Sequence, residues 1–230
     1  MRRHEAQTVG RSADPGDIVD AVFAISCRSL PVDHAYALSQ AIGAELPWFG
    51  EEPRAGLHLI HGASSGSGWM RPESPDAVLY LPQRAKLVLR LPAERLPEAA
   101  ALVGRTMDVA GCPLRVERLS VRALARIANL FARGVVLAAT GDETDFLAAA
   151  ESELATLDIR PGTILCGRTT RIATPACTHE ARSVMLAGLS PAQSLALQQR
   201  GLGTERKLGC GLFIPHKDIG DLGSGSDHDR

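Results

Sequence analysis

The stretch from Arg182 to Pro215, RSVMLAGLSPAQSLALQQRGLGTERKLGCGLFIP, decides the fold. It opens as a strand over 182–189, rich in aliphatic side chains. A helix start follows at Ser190-Pro191-Ala192-Gln193, where three signals agree: an N-cap hydroxyl, a proline in the first helical position and a glutamine in the third. The helix stops at Gly201. Four glycines and a basic pair then lead into a last strand over 210–215. Upstream, residues 163–172 read as a strand, 142–157 as a helix with Thr140-x-x-Glu143 as its capping box, and 127–139 as an apolar strand. The order is β-α-β-β-α-β. The same order precedes it: a strand over 18–28, a helix from Asp33 as N-cap to Glu45 with His34, Leu38 and Ile42 on one stripe, a strand over 57–62, a strand over 86–91, a short helix from Pro97 to Gly104, and a strand pair over 107–116 turning at Gly111. The expected class is therefore α+β, with two tandem ferredoxin-like (β-α-β-β-α-β) units. They occupy residues 17–118 and 119–217, between flexible ends at 1–16 and 218–230.

Composition sets the outer bounds. The chain has 230 residues, 45% of them hydrophobic and only 4% aromatic, so its core rests on aliphatic side chains. No apolar run approaches the roughly 20 residues of a membrane span, and the polar start lacks the apolar stretch of a secretory signal. The five cysteines, at 27, 112, 166, 177 and 210, form no C-x-x-C pair. An odd set without that spacing fits reduced thiols in a cytoplasm rather than disulfides or structural zinc. Net charge is −1, low for a nucleic-acid binder, but it is unevenly spread. Between Arg160 and Lys217 eight basic residues face two acidic ones, while the tail from Asp218 carries four Asp and one Arg.

Three features carry chemistry. In Gly201-Leu202-Gly203-Thr204-Glu205-Arg206-Lys207-Leu208-Gly209-Cys210-Gly211, the glycines Gly201, Gly203, Gly209 and Gly211 let backbone N–H groups approach a phosphate, and Arg206 and Lys207 add charge. A tight helix-to-strand connection explains the same spacing. In Arg84-x-Lys86-x-Val88-x-Arg90 the alternation places the basic residues on one strand face and Leu87, Leu89 and Leu91 on the other, which suits a sheet surface meeting nucleic acid, or simply a solvated face. Among the histidines, His34 stands at a helix start, where the positive end of the dipole favours a neutral, base-competent ring. His58 and His61 fall on the next strand, so His34 and His58 are placed to share a site as acid and base. No metal-binding constellation stands out; His58-x-x-His61 lacks carboxylate or thiolate partners.

The stretch 189–215, together with Pro31-Val32-Asp33-His34-Ala35-Tyr36-Ala37-Leu38, Gly56-Leu57-His58-Leu59-Ile60 and residues 81–92, resembles the CRISPR-associated repeat-RNA endoribonucleases, the sixth Cas protein, in the subtype first described in myxobacteria. The resemblance extends from about residue 17 to 216. It implies two ferredoxin-like folds in tandem and a metal-independent, cofactor-free cut within the repeats of precursor CRISPR RNA. A 2′-hydroxyl would attack its own phosphodiester, leaving a 2′,3′-cyclic phosphate and a 5′-hydroxyl. His34 matches the catalytic placement best, with His58 as alternative or partner. Gly201, Gly203, Arg206, Lys207, Gly209 and Gly211, with Arg84, Lys86 and Arg90, would hold RNA. The implied partner is CRISPR repeat RNA, with other Cas effector-complex subunits as further candidates and no membrane. A non-catalytic RNA-binding subunit of such a complex is the competing reading, and a small-molecule enzyme with two α+β halves is a third.

Overall fold

The computed structural model describes residues 18–62, 72, 74, 77–138 and 142–216. The expected loose ends, and most of the Gly66–Gly68–Pro75 loop, lie outside them. The first half runs β1 (Ile18–Ser26), β2 (Ser29–Pro31), α1 (Ala35–Glu45), α2 (Trp48–Glu51), β3 (Gly56–His58), β4 (Val78–Tyr80), β5 (Lys86–Pro92), α3 (Leu96–Ala99), β6 (Thr106–Val109) and β7 (Cys112–Ala123). The second runs β8 (Leu130–Val135), α4 (Glu143–Thr156), β9 (Thr163–Ala173), β10 (Thr178–Ala187), α5 (Pro191–Arg200) and β11 (Ile214–Pro215). The architecture is mixed α+β, built on antiparallel sheets.

The strand orders are β3-β5-β1-β7-β6 and β11-β8-β10-β9, with a separate β2-β4 ribbon that the sequence pattern did not signal. In the first sheet, Ala21, Phe23 and Ile25 of β1 and Leu87, Leu89 and Leu91 of β5 point to one face. There they meet Leu38 and Ile42 of α1 in a single core. In the second, Leu130 and Ala132 of β8 and Val184 and Leu186 of β10 pack on Phe146, Ala150 and Leu154 of α4 and Leu197 of α5. Period-2 strands and period-3.6 helices thus bury one side each and leave the opposite sheet faces for another use. A smaller apolar cluster of Ala35, Ile172, Ala181, Leu208 and Cys210 joins the two halves.

Local chemistry explains the helix ends. Ser190 accepts from the Gln193 amide N–H while the Gln193 side chain accepts from the Ser190 N–H, the reciprocal box expected there. Elsewhere the caps differ from expectation. Asp142, not Thr140, caps α4, accepting from the Thr144 and Asp145 amides; Thr140 lies outside the described residues. His34, not Asp33, occupies the α1 N-cap, and the Asp33 carboxylate instead accepts from the Ala173 amide across the two halves. β7 runs past the expected junction at 118/119. The last strand shrinks from 210–215 to two residues, because the left-handed glycines at 209 and 211 break the ladder.

Candidate nucleic-acid interface and active site

One row of residues crosses the first sheet on the face opposite its core. Gly56 of β3 pairs with Arg90 of β5, Arg90 with Asp20 of β1, and Asp20 with Arg122 of β7. Arg90 is fully buried. Its guanidinium donates to both Asp20 carboxylate oxygens at 2.8 and 3.3 Å, and to the Gln198 and Phe213 carbonyls of the second half at 3.1 and 2.8 Å. Arg122 adds a third bond to Asp20 at 2.9 Å. Gly56 ends the row where the second half presses closest: a Cβ there would stand 2.8 Å from a Leu212 methyl group.

Arg90, expected on an RNA-facing surface, is thus buried and bonded within the protein. The alternation that placed it with Lys86 and Val88 is correct, but the second half covers that end of the face. A buried guanidinium needs a carboxylate and several acceptors, and finds them inside the protein. Lys86, at the other end, is exposed. Arg84 is exposed too, in the turn before β5.

Between the two sheets, next to this row, lies a cleft of about 350 Å³. Its polar lining is His58, His61, Lys86, Arg122, Arg133 and Thr170; Phe131, Ile172 and Leu212 supply apolar walls. His58 Nε2 stands 3.6 Å from Asp20 Oδ1, beyond a hydrogen bond but close enough for charge to act. Burial pushes the His58 imidazole below its usual value; Asp20 opposes this, while Arg90 and Arg122 add to it. For Asp20, burial alone would raise the carboxyl. The neighbouring His58 ring and the Arg90 guanidinium outweigh that and hold it well below the usual carboxylate range. Arg133 is lowered by burial but remains a cation at any ordinary pH. The cleft therefore joins a neutral-leaning imidazole to fixed positive charge, the combination that activates a hydroxyl beside a phosphate.

His34 does not line this cleft and is 2% exposed. Its Nδ1 lies 2.9 Å from the Pro31 carbonyl oxygen, so Nδ1 carries the proton. His34, expected to share a site with His58, thus lies outside the cleft that His58 lines; around it, Ala35 packs on Ile172 and Asp33 accepts from the Ala173 amide of the second half.

The glycine loop also differs from expectation. Arg206 turns inward and donates to the Arg200, Gln199 and Arg54 carbonyls; Lys207 donates to the Glu52 and Ala55 carbonyls and lies 4.6 Å from the Phe49 ring centre. Burial lowers Lys207 to about 8 and Arg206 to about 10, each helped by a neighbouring cation. Lys207 thus fastens the loop to the first half, and Arg206 ties it both to the end of α5 and to the first half. Gly203 and Gly211 are required for close approach: each has positive φ, and a Cβ would collide with the Val136 or Leu202 carbonyl oxygen. Gly201 and Gly209 are likewise left-handed, and Gly209 forms part of the cleft wall.

The sequence profile described as Cas6 Crispr matches residues 19–218 of this chain. The chain belongs to the Cas6 family. It is 32% identical over 197 residues to the CRISPR-associated endonuclease Cas6 of Myxococcus xanthus (strain DK1622), covering 86% of this chain and 81% of that one. Among solved structures it is similar to a CRISPR associated protein Cas6, with TM-score 0.60 and 11% identity over 87% of this chain and 99% of the other. It is also similar to Thermus thermophilus Cse3 bound to an RNA representing a pre-cleavage complex, with TM-score 0.52 and 16% identity over 86% and 98% of the two chains. These likenesses establish a shared fold. Within this Cas6 chain, Arg122 and Arg133 line the candidate site and Asp20 stands beside His58, and no sequence motif marked any of the three. Asp20 left a signal: a lone carboxylate in an otherwise apolar strand is rare unless paired.

Proposed function

We propose that this Cas6 chain is an endoribonuclease that cuts precursor CRISPR RNA within its repeats, in the cytoplasm and without a metal ion. The observation that carries this reading is the cleft itself, which sets the His58 imidazole beside Lys86, Arg122 and Arg133. The 2′-oxygen of the nucleotide before the cut attacks phosphorus, and the bond from phosphorus to the 5′-oxygen breaks. One proton leaves the 2′-hydroxyl for a base and one reaches the departing 5′-oxygen, leaving a 2′,3′-cyclic phosphate and a 5′-hydroxyl. His58 is the imidazole placed to exchange protons with the cleft, with His61 alongside; the three cations offset charge on the phosphorane. His34, under its cover, takes part only if the start of α1 opens. Lys86 and Arg84 are the exposed cations placed to hold RNA, whereas the amides of Gly201, Gly203, Gly209 and Gly211, expected to cradle phosphate, already donate to the Leu197 carbonyl, the Glu153 carboxylate, the Arg206 carbonyl and the Gly134 carbonyl. The strand orders, each with helices after the first and third principal strands, support two tandem ferredoxin-like units, the linker falling between Ala123 and Leu130.

The test uses purified protein in EDTA with a labelled repeat RNA from the same genome, and a matched RNA with a 2′-deoxy nucleotide at the cut. We expect cleavage of the first only. Tight binding without cleavage would instead make the chain a non-catalytic RNA-holding subunit. His58→Gln should lose cleavage and keep binding; if His34→Gln does so instead, His34 is the active imidazole.

A further inference from the structure

We propose that Asp20 is a positioning residue for His58: its buried carboxylate fixes which imidazole nitrogen carries the proton, and it shares Arg122 with the incoming phosphate. The catalytic part of this proposal rests on the cleft being the cleavage site; the tautomer part does not.

The geometry comes first. Asp20 is 2% exposed, yet three groups converge on its carboxylate: Arg90 from one neighbouring strand, Arg122 from the other, and His58 from beyond Arg90. A fixed anion facing Nε2 favours the tautomer with hydrogen on Nε2. The lone pair is then on Nδ1, the nitrogen free to take a proton. An orienting carboxylate behind a working imidazole is a recurrent arrangement, because it removes the entropy of ring flipping and stabilises the imidazolium as it forms. Arg90 is no rival for the phosphate, since all its bonds are internal. Arg122 is one: its side chain is 60% exposed, it lines the cleft, and among the described residues its ion pair is with Asp20. When a phosphate draws Arg122 away, the charge left on Asp20 acts more strongly on His58 and raises its basicity at the moment a proton must be taken.

Among the described residues, Arg90 and Lys86 on β5, Asp20 on β1, Arg122 on β7, Arg133 on β8, His61 and the Cys210 thiol are the charged or titratable groups around His58. Their signs give a two-way test. The readout is the titration of the His58 ring by NMR in the RNA-free protein, with the signal assigned through His58→Gln. Asp20→Asn removes an anion and should lower the His58 midpoint. Arg122→Gln removes a cation and should raise it. Asp20→Glu, which keeps the charge, should restore most of the wild-type titration. In cleavage, the limb of the pH–rate profile that belongs to His58 should move the same way in each variant. If Asp20→Asn fails to fold, Arg122→Gln, an exposed change, and Asp20→Glu still decide. An unchanged His58 midpoint in Arg122→Gln and in every folded Asp20 variant overturns the proposal. Midpoints that move while cleavage does not depend on His58 keep the positioning pair and remove the cleavage site from the cleft.

Discussion

Replacing Arg90 with methionine separates a structural role from RNA binding more sharply than any other single change. The side chain is fully buried, and four N–H contacts are lost with it: two to Asp20 and one each to Gln198 and Phe213 carbonyls. Methionine fills much of the space but leaves Asp20 charged, buried and dependent on Arg122. Removing one partner of a buried ion pair costs about 3–5 kcal/mol. For a chain of this size each kcal/mol lowers the melting temperature by about 2–4 °C, so the expected loss is about 6–20 °C. The assay is thermal unfolding at pH 7, followed over pH. The Asp20 carboxyl lies well below the roughly 3.9 of an unfolded aspartate, so its contribution is complete above about pH 4 and is lost as pH falls through the folded value. Without Arg90 the carboxyl is depressed less. The stability gap between wild type and Arg90→Met should therefore be widest near neutrality and shrink as pH falls below about 4. A variant that melts with the wild type at pH 7 while losing RNA affinity would refute the buried-pair reasoning and restore Arg90 to the RNA surface.

Two further outcomes discriminate among the basic residues and glycines. Lys86→Gln should flatten the slope of log affinity against log salt by about 0.7–0.9, one phosphate contact's share, whereas Lys207→Met should leave that slope unchanged and lower stability instead; equal slopes for both would move the interface from the cleft to the loop. Gly203→Ala, which sets a Cβ against the Val136 carbonyl at a φ of 74°, should destabilise by more than about 1 kcal/mol in urea unfolding, and a neutral result would mean that the loop shifts freely.

What the sequence made legible was whatever local periodicity and caps encode. The Ser190 box, the Leu87-Leu89-Leu91 face and the repeated element order all follow from contacts within a few residues or between adjacent strands. What it concealed depends on how one half covers the other. Lys86 and Arg90 stand on the same face of one strand with the same charge, and nothing in their spacing says that only Lys86 meets solvent; that difference is made by carbonyls at Gln198 and Phe213, more than 100 residues away. Arg206 and Lys207 turn inward for the same reason. Flanking glycines suggest an exposed phosphate cradle, yet they also let the chain fold back so tightly that the basic side chains reach main-chain carbonyls at the end of α5 and in the first half. His34 shows the limit in the other direction: its helix-start position was correctly inferred to within one residue, but exposure is a property of the packed pair. The lone Asp20 in an apolar strand was the one long-range signal present in the sequence. A buried carboxylate demands a cation, and the two arginines paired directly across from it, together with the nearby His58, meet it at one edge of the cleft.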